Sequence, residues 1–216
     1  MRYAAPLPHY LKTHHATWRE RVYEPDRAWY ARLATGGQRP RAMLISCCDS
    51  RFDAVQTFGA EPGDLFVVRN VAALVPPYDP DHGHHGTSAA VEFAVTALKV
   101  AHIVVVGHSD CGGVRACAAM CSGREPAFEK RSSFVGRWMD ILRPGYERVA
   151  GTGEQDPEAL QTPLEHEAVL TSLRNLETFP FVSQACDEGV LTLHGCWFDI
   201  GTGALEVYDP GAGAFR

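Results

Sequence analysis

Residues 41–51 read Arg41-Ala42-Met43-Leu44-Ile45-Ser46-Cys47-Cys48-Asp49-Ser50-Arg51, and the architecture follows from them. Ala42 through Ser46 is a short apolar run, too brief for a typical helix, and it predicts a buried strand. The run stops at two cysteines, an aspartate and an arginine. About sixty residues later His102-Ile103-Val104-Val105-Val106-Gly107 repeats the pattern and stops at His108-Ser109-Asp110-Cys111-Gly112-Gly113. In open α/β sheets ligand sites form at the carboxyl ends of the strands. Two such strands ending side by side bring thiols, an imidazole, a carboxylate and a guanidinium to one edge.

Working outward, strands alternate with helices. Phe52 to Phe58 fits a short helix, Glu61-Pro62-Gly63-Asp64 a turn, and Leu65 to Val71 a β-branched strand. Thr87 or Ser88 is placed to cap a helix running through Leu98, with Ala90, Val91, Ala94, Val95 and Leu98 at helical spacing. Gly112-Gly113 opens another helix, residues 124–180 read as mainly helical, and 190–200 with 204–208 read as a strand hairpin turned by Gly201-Thr202-Gly203. The expected fold is α/β, a mostly parallel central sheet flanked by helices, with an antiparallel C-terminal edge hairpin. Residues 1–40 form a polar, aromatic-rich helical arm (Tyr10, Trp18, Tyr23, Trp29, Tyr30) divided at Pro25, packing on its own domain or on a partner subunit. Residues 41–216 form the core of what is expected to be a single domain over 1–216.

Length and composition fit this: 216 residues can bury a sufficient core. A net charge of −6 argues against a nucleic-acid surface. No run approaches a membrane span, and Met1 to His15 shows no signal-peptide core, so the expected location is cytoplasmic with no membrane partner. Seven cysteines, two of them adjacent, make a poor disulfide framework and fit reduced thiols, some of them metal ligands.

His108-x-x-Cys111 alone is weak, since chance would place roughly 0.3 such patterns in a chain of this composition. Cys47-x-Asp49-x-Arg51 is rarer, on the order of 0.03. Their joint place at two strand ends carries the argument. Cys47, His108 and Cys111 would leave a fourth tetrahedral position of zinc open, as catalytic rather than structural zinc sites do. The helix beginning at Gly112 directs its positive end at Cys111 and favours the thiolate. Asp49 has two candidate tasks: a fourth ligand, which closes the site, or an acceptor that orients zinc-bound water while Arg51 holds it ionised.

These motifs resemble the zinc signature of the β-class carbonic anhydrases. The likeness continues through Glu61 to Val71, Gly86 to Val95 and Leu193-His194-Gly195, close over about 36–116 and looser elsewhere. The resemblance implies reversible hydration of CO2 to bicarbonate and a proton by zinc-bound hydroxide, with one Zn2+ per chain on Cys47, His108 and Cys111. Asp49 and Arg51 would be the orienting catalytic pair, and the Gly112 N–H would bind an oxygen of CO2 or bicarbonate. Gln38, Phe66 and Val71 match substrate-pocket positions of the plant-like type I subgroup, and Phe93 stands where that subgroup often has Tyr. Leu44 replaces the tryptophan of the other subgroup's bicarbonate regulatory site, so no such site is expected. Ala73 stands where the family usually has Asn, which puts hydrogen bonding near Arg69 in question. The family's pocket forms at a dimer interface, implying a homodimer or dimer-based oligomer in which Gln38 and Phe66 serve either their own or the neighbouring subunit's zinc.

Two thiolate ligands neutralise the formal charge of Zn2+, so its water should be less acidic than at a three-histidine site, and activity is expected to rise toward alkaline pH. Two other readings stay open. One is a closed, non-enzymatic zinc protein with Asp49 as fourth ligand; the other keeps the scaffold and takes another linear substrate, carbonyl sulfide or carbon disulfide. Cys48, next to a ligand on an extended strand, is expected to be a buried thiol pointing the other way. Cys117, Cys121, Cys186 and Cys196 are expected in the core. His82, His84 and His85 are either a proton relay or part of a solvated loop.

Overall fold

The structure is a computed structural model that describes residues 3–81, 85–130, 132–151 and 156–216. His82 and His84 lie outside the described residues. Two compact units divide the chain at Gln38, two residues before the expected end of the arm.

The N-terminal unit holds α1 (His9–Trp18), a wider turn over Arg19–Tyr23, and α2 (Arg27–Gly36). Its aromatics cluster on one another: Trp18, Tyr23 and Tyr30 have ring centroids 5.1–6.0 Å apart, and Trp29 stands edge-on to Tyr30 at 5.3 Å.

The second unit, Arg39–Arg216, is built on a six-stranded sheet. In chain order its elements are β1 (Ala42–Cys47), α3 (Ala54–Thr57), β2 (Leu65–Asn70), α4 (Gly86–Glu92), β3 (His102–His108), α5 (Gly112–Cys121), α6 (Phe134–Met139), α7 (Arg143–Ala150), α8 (Pro157–Glu177), α9 (Pro180–Asp187), β4 (Thr192–Phe198), β5 (Leu205–Asp209) and β6 (Ala214–Phe215). The sheet order is β2-β1-β3-β4-β5-β6. The first four strands in that order are parallel, and β5 and β6 close the edge antiparallel.

Register places the chemistry. Ser46 pairs with Val106 and Cys47 with Asn70, so β1 and β3 end side by side as their sequences predict. The pleat then sorts the strands between two apolar layers. Met43, Ile45, Ile103 and Val105 pack under α4, α8 and α9, whereas Leu44, Val106 and Cys196 pack with Phe52. A third cluster joins Cys47 and Cys111 to Val114, Cys117, Met139 and Leu164.

Two glycines let α8 approach the sheet. A Cβ on Gly107 would stand 2.8 Å from Val169 Cγ2, and one on Gly195 would stand 2.9 Å from Val169 Cγ1. Neither strand could carry a larger residue there without lifting the helix.

Some local expectations are corrected. The helix after the proline loop starts at Gly86, and the Thr87 hydroxyl accepts from Asn70 Nδ2 at 3.1 Å instead of capping it. The helix widens over Phe93–Leu98 into a π-type turn that its apolar spacing does not announce. β6 is two residues long and has no sequence signal. Cys48 is exposed, because the strand ends at Cys47 and the chain turns outward before a buried layer can cover it.

Candidate metal centre

Cys47 is the last residue of β1, His108 the last of β3, and Cys111 the N-cap residue of α5. The structure brings these three together: their ligating atoms all lie within 4.8 Å of one another, and all three residues are buried. The two sulfurs are 3.9 Å apart. A tetrahedral metal with Zn–S bonds of ~2.3 Å spans about 3.8 Å between two thiolates, so the pair is already spaced for zinc.

His108 supplies the third corner. Its Nδ1 can only donate to the Ser109 carbonyl, at 2.8 Å, which leaves Nε2 as the lone-pair nitrogen. That Nε2 is buried and has no hydrogen-bond partner. A buried imidazole nitrogen facing two sulfurs, with its other nitrogen fixed by a carbonyl, is the arrangement of a metal-ligating histidine.

The backbone prepares the thiols for ionisation. Cys47 lies well below the usual thiol range, at about 4, first through the hydrogen bond with Cys111, against the opposing effect of burial, then through the adjacent His108 imidazole and the backbone N–H groups of Asp49 and Ala72. Cys111 is pushed upward as the partner that keeps the proton. A bound divalent cation would take the place of the proton that the two thiols share. The Ala72 N–H reaches Cys47 from a strained turn: Ala72 and Ala73 both sit in the left-handed region, at φ 63° and 54°, a conformation alanine rarely adopts.

Asp49 stands beside this triangle and outside it. Arg51 grips both of its oxygens, Nε to Oδ1 at 3.0 Å and Nη2 to Oδ2 at 2.8 Å, and the Arg51 backbone N–H adds 2.9 Å to Oδ1. This pair holds the Asp49 carboxyl well below the usual carboxylate range. A bond from Asp49 to a metal would first have to break that pair, so the closed arrangement is not the one the structure adopts.

Two residues without a site role in the sequence reading, Arg69 and Glu165, support the site. Arg69 ties the loop after β1, donating to the carbonyls of Cys47, Asp49 and Phe52 at 2.7–2.9 Å. The bonding questioned by Ala73 is therefore intact around Arg69, and Asn70 spans the alanine turn by bonding both the N–H and the C=O of Leu74. Glu165, on α8, is only 1% exposed and accepts the Cys111 N–H at 2.9 Å. Its signal was available: Glu165 shares a helical face with Val169 and Ser172, both buried, so a carboxylate was written into an interior stripe.

The remaining expected site residues distribute as follows. Gly112 opens α5, and a Cβ there would meet nothing within 4 Å, so the space beside its Cα is open. Val71 is at the rim, its side chain against Gly113 and its carbonyl accepting from Trp138 Nε1 at 2.8 Å. Phe66 and Phe93 pack on each other, ring centroids 5.8 Å apart. Phe66 pairs with Met43, four residues and about 13 Å of strand from Cys47. Gln38 belongs to the N-terminal unit and is exposed. Asp110 is exposed, paired with Arg115 at 3.1 Å, and holds a left-handed φ of 55° that turns the chain into Cys111. Leu44, at the position that bears on a regulatory bicarbonate site, is 1% exposed in the Phe52 cluster.

Comparison with known proteins gives one answer. The family profile described as "Carbonic anhydrase" matches residues 42–205. Beta carbonic anhydrase 3 of Arabidopsis thaliana is 33% identical over 192 residues, covering 87% of this chain and 71% of the relative. The solved structure of the beta-carbonic anhydrase CcaA superimposes with a TM-score of 0.86 at 30% identity, covering 96% of this chain and 90% of the other. One of two tetrameric beta-carbonic anhydrases of Sordaria macrospora superimposes with a TM-score of 0.75 at 29% identity, covering 96% and 98%.

Proposed function

The chain belongs to the β-class carbonic anhydrases, and we propose that Cys47, His108 and Cys111 hold its zinc while Asp49 and Arg51 orient the attacking oxygen. The reaction is the reversible hydration of CO2: water adds one oxygen to carbon, bicarbonate leaves, and one proton passes to buffer. The observation that carries the assignment of ligands is His108 Nε2, buried without a hydrogen-bond partner and facing two sulfurs 3.9 Å apart.

Zinc, when bound, supplies the Lewis acidity that lets water ionise near neutral pH. The rest is done by the chain. Asp49, ionised and gripped by Arg51, can only accept, so the attacking group must turn an O–H toward it and its lone pair toward carbon. The second bond from Arg51 Nη2, 3.0 Å to the Asp110 carbonyl, ties this acceptor to the turn that leads into Cys111. In this reading the Gly112 N–H, at the positive end of α5, receives an oxygen of CO2 or bicarbonate.

The finer readings belong to the same proposal. Leu44 in place of tryptophan, with Phe66 and Val71, supports the plant-like subgroup without bicarbonate regulation. A homodimer or dimer-based oligomer is supported by the tetrameric Sordaria relatives and by β2, an edge strand with Val67 exposed on one face and, on the other, Phe66 under the exposed Phe93. Gln38 and Phe66 then serve the zinc of the neighbouring subunit. Seven free cysteines suit a reducing compartment, and the cytoplasm is the proposed location.

Loss of 18O from labelled CO2, followed by mass spectrometry, tests the reading of the pair. Zinc-loaded protein should exchange label rapidly, and Asp49→Ala should exchange about 10²-fold more slowly with its zinc content unchanged. Equal rates in the two proteins would remove Asp49 from the mechanism.

A further inference from the structure

We propose that Gln161 and Glu165, one turn apart on α8, are positioning residues of the metal centre: together they hold both backbone polar groups of Cys111 and so fix where its sulfur stands. The proposal rests on the zinc reading above and extends it to residues that never touch the metal.

Cys111 needs such a hold. It is the N-cap residue of α5, in extended conformation at φ −64° and ψ 115°, and it follows the left-handed Asp110. Its N–H lies outside the α5 hydrogen-bond ladder, and a buried N–H must find an acceptor. Glu165 Oε1 is that acceptor, at 2.9 Å. Gln161 Nε2 donates to the same Oε1 at 2.6 Å and to the Cys111 carbonyl at 3.3 Å. Trp197 Nε1, from β4, donates to Glu165 Oε2 at 3.1 Å and fixes the other end of the carboxylate. Cys111 is thus bracketed on both sides of its backbone by one face of α8.

The choice of residue points beyond packing. Burying an ionisable carboxyl is costly when no cation pairs with it, and among the described residues no Lys or Arg forms an ion pair with Glu165. What its burial secures is a three-donor fixture at the backbone of a metal ligand. Partners of this kind typically change metal affinity 10–100-fold. The sheet makes room for it: the missing Cβ at Gly107, which would stand 3.6 Å from the Glu165 carbonyl, lets α8 sit close enough to reach Cys111.

The test uses cobalt(II) as probe, read by its ligand-field absorption and by competition with a chelator. Glu165→Ala and Gln161→Ala should each weaken cobalt binding on the order of 10–100-fold and shift the visible bands. Glu165→Gln keeps an oxygen for the Cys111 N–H and should return affinity to within a few-fold of wild type. Trp197→Phe removes one of the three donors to Glu165 without touching Cys111, and should weaken cobalt binding less than Glu165→Ala does. Folded Glu165→Ala and Gln161→Ala with wild-type affinity and bands would overturn the proposal. Should Glu165→Ala not fold, Gln161→Ala and Glu165→Gln decide the matter by the same readings. Wild-type protein that binds neither cobalt nor zinc would overturn the zinc reading itself, and the failing protein tells the two apart.

Discussion

Arg51 does two jobs with one guanidinium, holding both oxygens of Asp49 and the carbonyl of Asp110. It therefore links the end of β1 to the turn before Cys111, and keeps a carboxylate two residues from a ligand from becoming a ligand. Arg51→Ala frees Asp49 to close the site, so CO2 hydration should fall while zinc content stays at one per chain. Hydration at the wild-type rate in that variant would show that the guanidinium is dispensable. A second residue gives a pH effect on stability. His166 stacks on Phe215 with ring centroids 4.2 Å apart and stands edge-on to Trp197 at 5.0 Å. Burial lowers its pKa, only partly countered by the Glu206 carboxylate 3.4 Å away. The unfolded chain then binds a proton at His166 more readily than the folded one, so stability falls as pH drops below about 6.5. His166→Gln should flatten that slope in urea unfolding between about pH 7 and pH 5. Superimposable slopes for the two proteins would contradict it.

At the scale of elements, α8 is the part that joins sheet to site. It packs on Gly107 and Gly195 through Val169 and reaches Cys111 through Gln161 and Glu165. Gly195→Ala should cost about 1–3 kcal/mol by overpacking, measured by chemical denaturation, and Gly107→Ala should in addition weaken metal binding. A Gly107→Ala protein of unchanged stability would mean that α8 lifts without cost. The strands were legible in the sequence because buried parallel strands are written as continuous apolar runs, and Ala42–Cys47 and His102–His108 end within a residue or two of where those runs end. Cys47, His108, Cys111, Asp49 and Arg51 were legible because each lies at a strand end or one turn beyond. What stayed hidden depends on tertiary closeness. The interior stripe of α8 marks Glu165 as unusual, but nothing in it names Cys111, 54 residues away, as the partner. The left-handed pair Ala72-Ala73 has no glycine or asparagine to announce it, and the packing around Asn70 and Ser172 imposes it.

For the molecule as a whole, metal and fold are linked. Cys47 from β1, His108 from β3 and Cys111 from α5 join separate segments, and a ligand that binds only the folded state stabilises it by ~2.7 kcal/mol at a hundred times its dissociation constant. Removing zinc with a chelator should lower the melting temperature, and adding zinc back should restore it; an unchanged melting curve would place the metal outside this cluster. In our proposal an open zinc centre with a held-off Asp49 hydrates CO2. Stopped-flow CO2 hydration on zinc-quantified protein, from about pH 6.5 to about pH 9, tests it most directly. One zinc per chain and a rate that climbs with pH are expected. One zinc per chain with no hydration at any pH would contradict it.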